Sequence, residues 1–217
     1  GLADPERGIW VCADFMRIYQ LPIGQLLNEK FHLPVFIEND TNACCLAEKV
    51  FGTCKEAKDF LYLTVSNGIG GAMFLDGKLY YGSHDAAGEY GMCIVKEKGR
   101  SLENNSYAGC LEMYASSRGV HQNYVDLGGG PMENGEYPDG KILAERMRQG
   151  DAIAKKVFDL EGYYLGKVIA SACVLLDPEK VIIGGGLSLA FDCYKKALIK
   201  TISEQHYEGR EFKKMFS

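Results

Sequence analysis

The sequence predicts an α/β fold, and three observations lead to it. From Asp151, apolar residues recur at steps of three or four (Ile153, Val157, Leu160, Tyr164, Val168, Ala172, Leu175), the period of a long amphipathic helix reaching about Leu176. Asp177-Pro178 ends it, and Val181-Ile182-Ile183, Gly184-Gly185-Gly186 and a helical stretch from Ser188 follow. Helix, strand, glycine turn, helix is an α/β unit, with a ligand expected where the strand ends. Phe60 to Val65 is a further strand, and it leads into a glycine-rich meander.

The elements follow in order. Leu21 to Phe31 reads as a short amphipathic helix, with Leu26, Leu27 and Phe31 on its apolar side and His32-Leu33-Pro34 as its stop. Val35-Phe36-Ile37 fits a short buried strand. Glu38-Asn39-Asp40-Thr41 comes next, and Asn42 to Val50 is helical, with Asp40 or Thr41 as its N-cap. Asp40 therefore stands where a strand hands over to a helix. A polar stretch from Gly52 to Asp59 marks a soft boundary.

The meander is the most informative segment, with seven glycines between Gly68 and Gly91. Thr64-Val65-Ser66-Asn67-Gly68-Ile69-Gly70-Gly71 enters it, Ala72 to Leu75 is a strand, and Lys78 to Tyr81 is another. Asp76-Gly77 between them is a hairpin signal, because a type I′ turn needs positive φ at both central residues. Gly88-Glu89-Tyr90-Gly91 closes the run. Leu111 to Val120 is predicted helical, and residues 121–140 read as loop around Gly128-Gly129-Gly130-Pro131 and Asn134-Gly135.

Composition sets outer limits. The 217 residues make one large domain or two small ones. A net charge of −5 argues against chain-wide affinity for nucleic acid. No apolar run approaches the length of a membrane span or resembles a signal peptide. The eight cysteines contain no C-x-x-C pair, which fits reduced, mostly buried thiols in a cytoplasmic protein. Gly1 stands without an initiating Met and the chain ends past a helix at Phe212 to Ser217, so a piece of a longer polypeptide is expected.

Each candidate residue has two readings. Asp40 is placed to take a proton from a hydroxyl, or simply to cap a helix for about 1 kcal/mol. The Gly68 loop offers backbone N–H groups to a phosphate, or is a tight hairpin needing positive φ. It lacks the Lys-Ser/Thr of a Walker loop and the strand-to-helix context of a dinucleotide fingerprint. Gly184 to Gly186 lets a nucleotide lie on bare backbone, or lets helix and strand pack closely. Glu89 and Glu112 bind sugar hydroxyls, or are solvated surface acids.

The order of these motifs along the chain resembles the ROK family of bacterial sugar kinases and sugar-responsive repressors. The resemblance runs from Gly8-Ile9 to about Ser203. It implies the actin/hexokinase-like (ribonuclease H-like) ATPase fold with an incomplete N-terminal domain. Residues 1–58 would be the remnant of the small domain and 59–217 most of the large one. By resemblance, Asp40 is the catalytic base toward a sugar hydroxyl, and Asn39, Glu89 and Glu112 bind the sugar. Gly68, Gly70 and Gly71 belong to the second phosphate loop, with Ser66-Asn67 where Gly-Thr is common. Gly184, Gly185 and Gly186 match the adenosine motif. The implied function is an ATP-dependent sugar kinase using Mg²⁺, with a homo-oligomer expected and no partner membrane or nucleic acid. The alternative is the effector-binding part of a repressor. The family's first phosphate loop would lie upstream of Gly1, so this polypeptide alone is expected to have little or no activity.

Two departures concern a metal. Met92 stands where the family has a zinc-ligating His, and Glu103-Asn104-Asn105-Ser106-Tyr107-Ala108-Gly109-Cys110 aligns with its zinc loop. Only Cys110 of the four ligands is kept, and Met92 has no N–H donor to offer a sugar. Metal analysis of the purified protein is expected to find no stoichiometric zinc; one zinc per chain would contradict this reading.

Overall fold

The computed structural model describes residues 2–13, 16–101 and 108–204. It contains two sheets. Strands β1 (Leu2–Asp4), β2 (Ile9–Ala13) and β3 (Ile18–Leu21) form an antiparallel sheet in chain order, which the sequence patterning did not reveal. Helix α1 (Ile23–Phe31) follows, and His32 at φ 55° ends it in a left-handed cap. The second sheet has the order β6-β5-β4-β7, from β4 (Phe60–Val65), β5 (Ile69–Leu75), β6 (Lys78–Tyr80) and β7 (Lys180–Gly184). The first three form an antiparallel meander, and β7 returns parallel to β4. The Asp76-Gly77 turn has positive φ at both positions, 51° and 75°, as the hairpin requires.

Side-chain alternation explains how this sheet is covered. Phe60 and Tyr62 of β4, Ala72 and Phe74 of β5 and Ile182 of β7 face one side, where Cys45 of helix α2 (Asp40–Val50) joins them. Leu61, Leu63, Val65 and Val181 face the other, with helices α3 (Glu112–Ala115), α4 (Ser117–Asp126), α5 (Gly140–Arg148), α6 (Ala152–Leu176) and α7 (Phe191–Glu204). Strand β4 is buried on both faces, which is why it reads as an unbroken apolar run. Helix α2, N-terminal to the boundary expected at residue 58, lies on this sheet.

Helices α6 and α7 pack backbone to backbone. A Cβ on Gly162 would sit 2.5 Å from the Tyr194 carbonyl oxygen, and one on Gly166 would sit 2.7 Å from Thr201 Cβ. These glycines lie one turn apart on the same side of α6, so the helices approach as larger side chains would not allow.

Three expectations need correction. Val35-Phe36-Ile37 forms no strand: no described strand pairs with it, and Phe36 is 92% exposed. An apolar run without a ladder partner has no use for its backbone groups. The helix expected over Leu111–Val120 is broken at Ser116, whose extended backbone (φ −86°, ψ 173°) ends α3 and whose hydroxyl caps α4 by accepting from Gly119 N. Helix α4 then runs to Asp126, into the expected loop, so only residues 127–139 remain irregular before α5. Finally, Asn39, not Asp40 or Thr41, caps α2, accepting from Thr41 N at 2.8 Å and Asn42 N at 3.3 Å. Its extended backbone places the amide oxygen over the free N–H groups of the first turn.

Five of the eight cysteines are buried, and all eight are free thiols. Among the described residues no helix is long and apolar enough to cross a membrane.

One buried acid carries a cost. Glu161, in the middle of α6, is fully buried, and neither carboxyl oxygen has a hydrogen-bond partner; nor has the buried Tyr194 hydroxyl. Burial raises the Glu161 pKa well above 4.5, so the folded protein keeps this proton while the unfolded chain loses it. Stability is therefore lost as pH rises above the unfolded value. Glu161→Met is expected to stabilise the protein by about 1–3 kcal/mol near neutral pH, with a larger gain in Tm at pH 8 than at pH 5. Equal gains at both pH values would contradict a buried neutral carboxyl.

Candidate active site

Asp40 occupies the first turn of α2 and is exposed. Its Oδ1 accepts from Thr41 N at 2.9 Å. Glu38, which the sequence motifs did not single out, fixes this helix start to the meander. Its Oε1 accepts from Asn39 N (2.8 Å) and Asn42 Nδ2 (3.0 Å), and its Oε2 accepts from the Tyr81 hydroxyl at 2.7 Å. Burial first, and then that bond to a carboxylate, push the Tyr81 phenol up to about 12. Asn39 spends its side-chain oxygen on the helix cap.

The glycines at the start of β5 bring the other groups in. Gly68, Gly70 and Gly71 have no positive φ, so turn conformation does not account for them. Space does. A Cβ on Gly68 would lie 2.5 Å from Glu112 Oε2, and one on Gly70 would lie 2.9 Å from Thr41 Oγ1. One on Gly71 would fall on the Tyr90 ring. The Gly88–Gly91 turn lies on the same backbone: a Cβ on Gly88 would meet the Gly71 carbonyl oxygen at 2.5 Å, and one on Gly91 would fall on that of Ile69. Three segments remote in sequence therefore meet the chain at three glycines within four residues at the start of β5.

Three carboxylates lie around this point, near enough for Glu112 and Asp40 to act on the charge of Glu89. Glu112 Oε2 accepts from Ile69 N at 2.9 Å, so the acid braces the hairpin from below. Glu89 is exposed, with protein crowding one side of its carboxyl. That crowding raises its pKa above 4.5, and the Glu112 and Asp40 carboxylates raise it further. Perturbation by burial and like charge makes these acids candidates for a site of chemistry. Met92 closes the short 3₁₀ turn after Glu89 and is half-buried.

Beside the carboxylates opens a cleft of about 990 Å³. Asn67 of the β4–β5 hairpin and Gly186-Leu187 after β7 line it, together with Ser117 and Arg118 of α4 and Gly140 of α5. The hairpin and the Gly-Gly-Gly turn, far apart in sequence, thus share one cavity. The three glycines of that turn differ. A Cβ on Gly184 would fall on the Tyr62 hydroxyl, and Gly185, at φ 84°, lies against the Val65 backbone. Gly186 is open, with only Ser66 Oγ at 3.9 Å from a Cβ there. Close packing accounts for the first two, and the third faces the cleft.

Among the described residues no three His, Cys, Asp or Glu side chains gather as a metal site. Cys110 is buried, and residues 103–107 of the expected zinc-loop segment lie outside the described residues.

The ROK family model matches residues 1–215. The chain belongs to the ROK family. A Halalkalibacterium halodurans glucokinase is 34% identical over 199 residues, 87% of this chain and 58% of the relative. The solved ROK family glucokinase from Streptomyces griseus, in complex with glucose and AMPPNP, matches at a TM-score of 0.84 and 27% identity over 97% of this chain and 72% of that one. A solved ROK family transcriptional regulator, a homologue of the E. coli MLC protein, matches at 0.86 and 31% identity over 95% of this chain and 53% of that one. The fold is therefore the actin/hexokinase-like α/β fold of the ROK sugar kinases. The chain spans between 51% and 58% of the length of the curated relatives it matches first.

Proposed function

We propose that this ROK protein is an ATP-dependent sugar kinase that phosphorylates a hydroxyl of a hexose or hexose derivative. The observation that carries the reading is the meeting of Asp40, Glu89 and Glu112 at the start of β5, next to a cleft shared by Asn67 and Gly186. The glucokinase relatives, one of them solved with glucose and AMPPNP, support it.

Asn39, Glu89 and Glu112 accept or donate hydrogen bonds to sugar hydroxyls and fix the reacting one beside Asp40. Asp40, exposed and held by a helix start, takes the hydroxyl proton as the oxygen attacks the terminal phosphorus of ATP. The bond from that phosphorus to the bridging oxygen breaks, and ADP leaves. Bare backbone at Gly68, Gly70 and Gly71 leaves room for phosphates at the hairpin, and Gly186 for the nucleoside. The magnesium that accompanies ATP supplies charge neutralisation on the phosphates. Positioning and electrostatics do most of the work, because phosphoryl transfer asks little covalent chemistry of the protein. A cytoplasmic location and self-association belong to the same reading.

A second reading has its own support in the regulator of TM-score 0.86: the same site binds sugar as an effector, and occupancy shifts a conformational equilibrium.

Asp40→Asn in the full-length protein is expected to lower sugar-dependent ADP release by about 10²-fold or more, with sugar binding still measurable by calorimetry. Unchanged ADP release would overturn Asp40 as the base. If the unsubstituted protein binds a hexose yet releases no ADP with any hexose, N-acetylhexosamine or fructose, the effector reading replaces the kinase.

A further inference from the structure

A cleft that takes a nucleoside polyphosphate needs positive charge at its phosphate end. Arg100, Arg118 and Lys141 line this one. Arg100 is committed elsewhere: its Nη2 donates to Asp126 Oδ2 at 2.6 Å, its Nη1 donates to the Met113 carbonyl at 2.9 Å, and its guanidinium lies 4.7 Å from the Tyr114 ring centre. Lys141 follows Gly140, whose Cβ position lies 2.8 Å from Leu187 Cδ2, and so belongs to the end of the cleft beside the Gly-Gly-Gly turn.

Arg118 is at the hairpin end. Its neighbour Ser117 donates its backbone N–H to the Ser66 carbonyl at 2.8 Å. Its own Nη2 lies 3.5 Å from Glu112 Oε1, while Glu112 Oε2 accepts from Ile69 N. The Arg118 side chain is 71% exposed and, among the described residues, holds this one long contact. The start of α4 is not what makes the position attractive to an anion, since Ser117 N and Gly119 N already have acceptors.

We propose that Arg118 binds the terminal phosphates of a nucleoside triphosphate in this cleft and lets go of Glu112 as it does so. The proposal rests on the kinase reading for the identity of the ligand. A guanidinium prefers a short, bidentate contact with a phosphate to a single long contact with a carboxylate. Without ligand, Arg118 offsets the charge of Glu112, which sits against Gly68 and would otherwise repel phosphates from the hairpin. With ligand, Glu112 Oε1 is released as an acceptor. Nucleotide binding and the hydrogen-bonding state of Glu112 are thereby coupled, and the coupling runs in both directions.

Calorimetric titration of the full-length protein with AMPPNP and with AMP, both with magnesium, tests it. Arg118→Ala is expected to weaken AMPPNP roughly tenfold or more and to leave AMP unchanged, since only the terminal phosphates reach the guanidinium. Glu112→Gln keeps an acceptor for Ile69 N but removes the competing charge, so it is expected to tighten AMPPNP. That gain should vanish in the Arg118→Ala background, a non-additivity that a purely structural role does not give. Equal weakening of AMPPNP and AMP by Arg118→Ala, or an undiminished Glu112→Gln gain in its absence, would overturn the proposal. AMPPNP binding that is indifferent to Arg118→Ala overturns this inference alone. No nucleotide binding by the unsubstituted full-length protein overturns the nucleotide cleft and this inference together.

Discussion

Side chains are nearly absent from the start of β5, and the rest of the site depends on that vacancy. Thr41 comes against Gly70, Glu112 against Gly68, and the Tyr90 ring against Gly71. Each of these neighbours belongs to a different segment, and each carries a candidate functional acid: Asp40 beside Thr41, Glu89 beside Tyr90, and Glu112 itself. A methyl group at any of the three positions would push one acid away from the others. Packing density makes such shifts costly, because interiors have little slack to absorb an added atom. The carboxylates are thereby held in one region, and burial first, then the Glu112 and Asp40 charges, raise the Glu89 pKa.

A firm support lies beneath this arrangement. Strand β4, buried on both faces, is paired on one side by β5 and on the other by β7, so the hairpin and the Gly-Gly-Gly turn leave neighbouring strands at the same end. Gly184 and Gly185 press that turn onto Tyr62 and Val65. Behind the sheet, Gly162 and Gly166 let α6 and α7 close on each other. Glu38 adds a polar tie, joining the start of α2 to Tyr81 at the end of the meander. Glycine thus serves three purposes in this chain. It shapes turns such as the one at Gly77, it allows helices to touch, and it clears the floor of the site.

The long-range order of the fold was legible wherever one physical signal dominated. Helix α6 shows seven apolar positions in helical register, and β4 shows six residues of which all but Thr64 are buried. The Asp76-Gly77 turn follows from the positive φ it needs. Signals that depend on a partner elsewhere were not legible. Val35–Ile37 has strand composition but no neighbour to pair with, and Phe36 stays in solvent. The break between α3 and α4 turns on Ser116, a polar residue in a helical pattern whose hydroxyl serves the next helix better than its backbone serves the previous one. Within the site, the order of motifs carried the family, yet the reason for the glycines did not follow from it. Positive φ and close approach predict the same residue, and only the position of Glu112, Thr41 and Tyr90 separates them. Glu38 stood in the Glu-Asn-Asp motif without a role and Arg118 in none, since each acts through groups more than forty residues away or through the shape of the cleft.

Urea unfolding of Gly71→Ala beside Gly130→Ala tests the central claim most directly. Gly130 has positive φ excluded and nothing within 4 Å of a Cβ, whereas a Cβ on Gly71 falls on the Tyr90 ring. The account predicts that Gly71→Ala loses about 1–3 kcal/mol, while Gly130→Ala stays within about 0.5 kcal/mol of the unsubstituted protein. Equal midpoints for the two variants would contradict a site built on the bare backbone of β5.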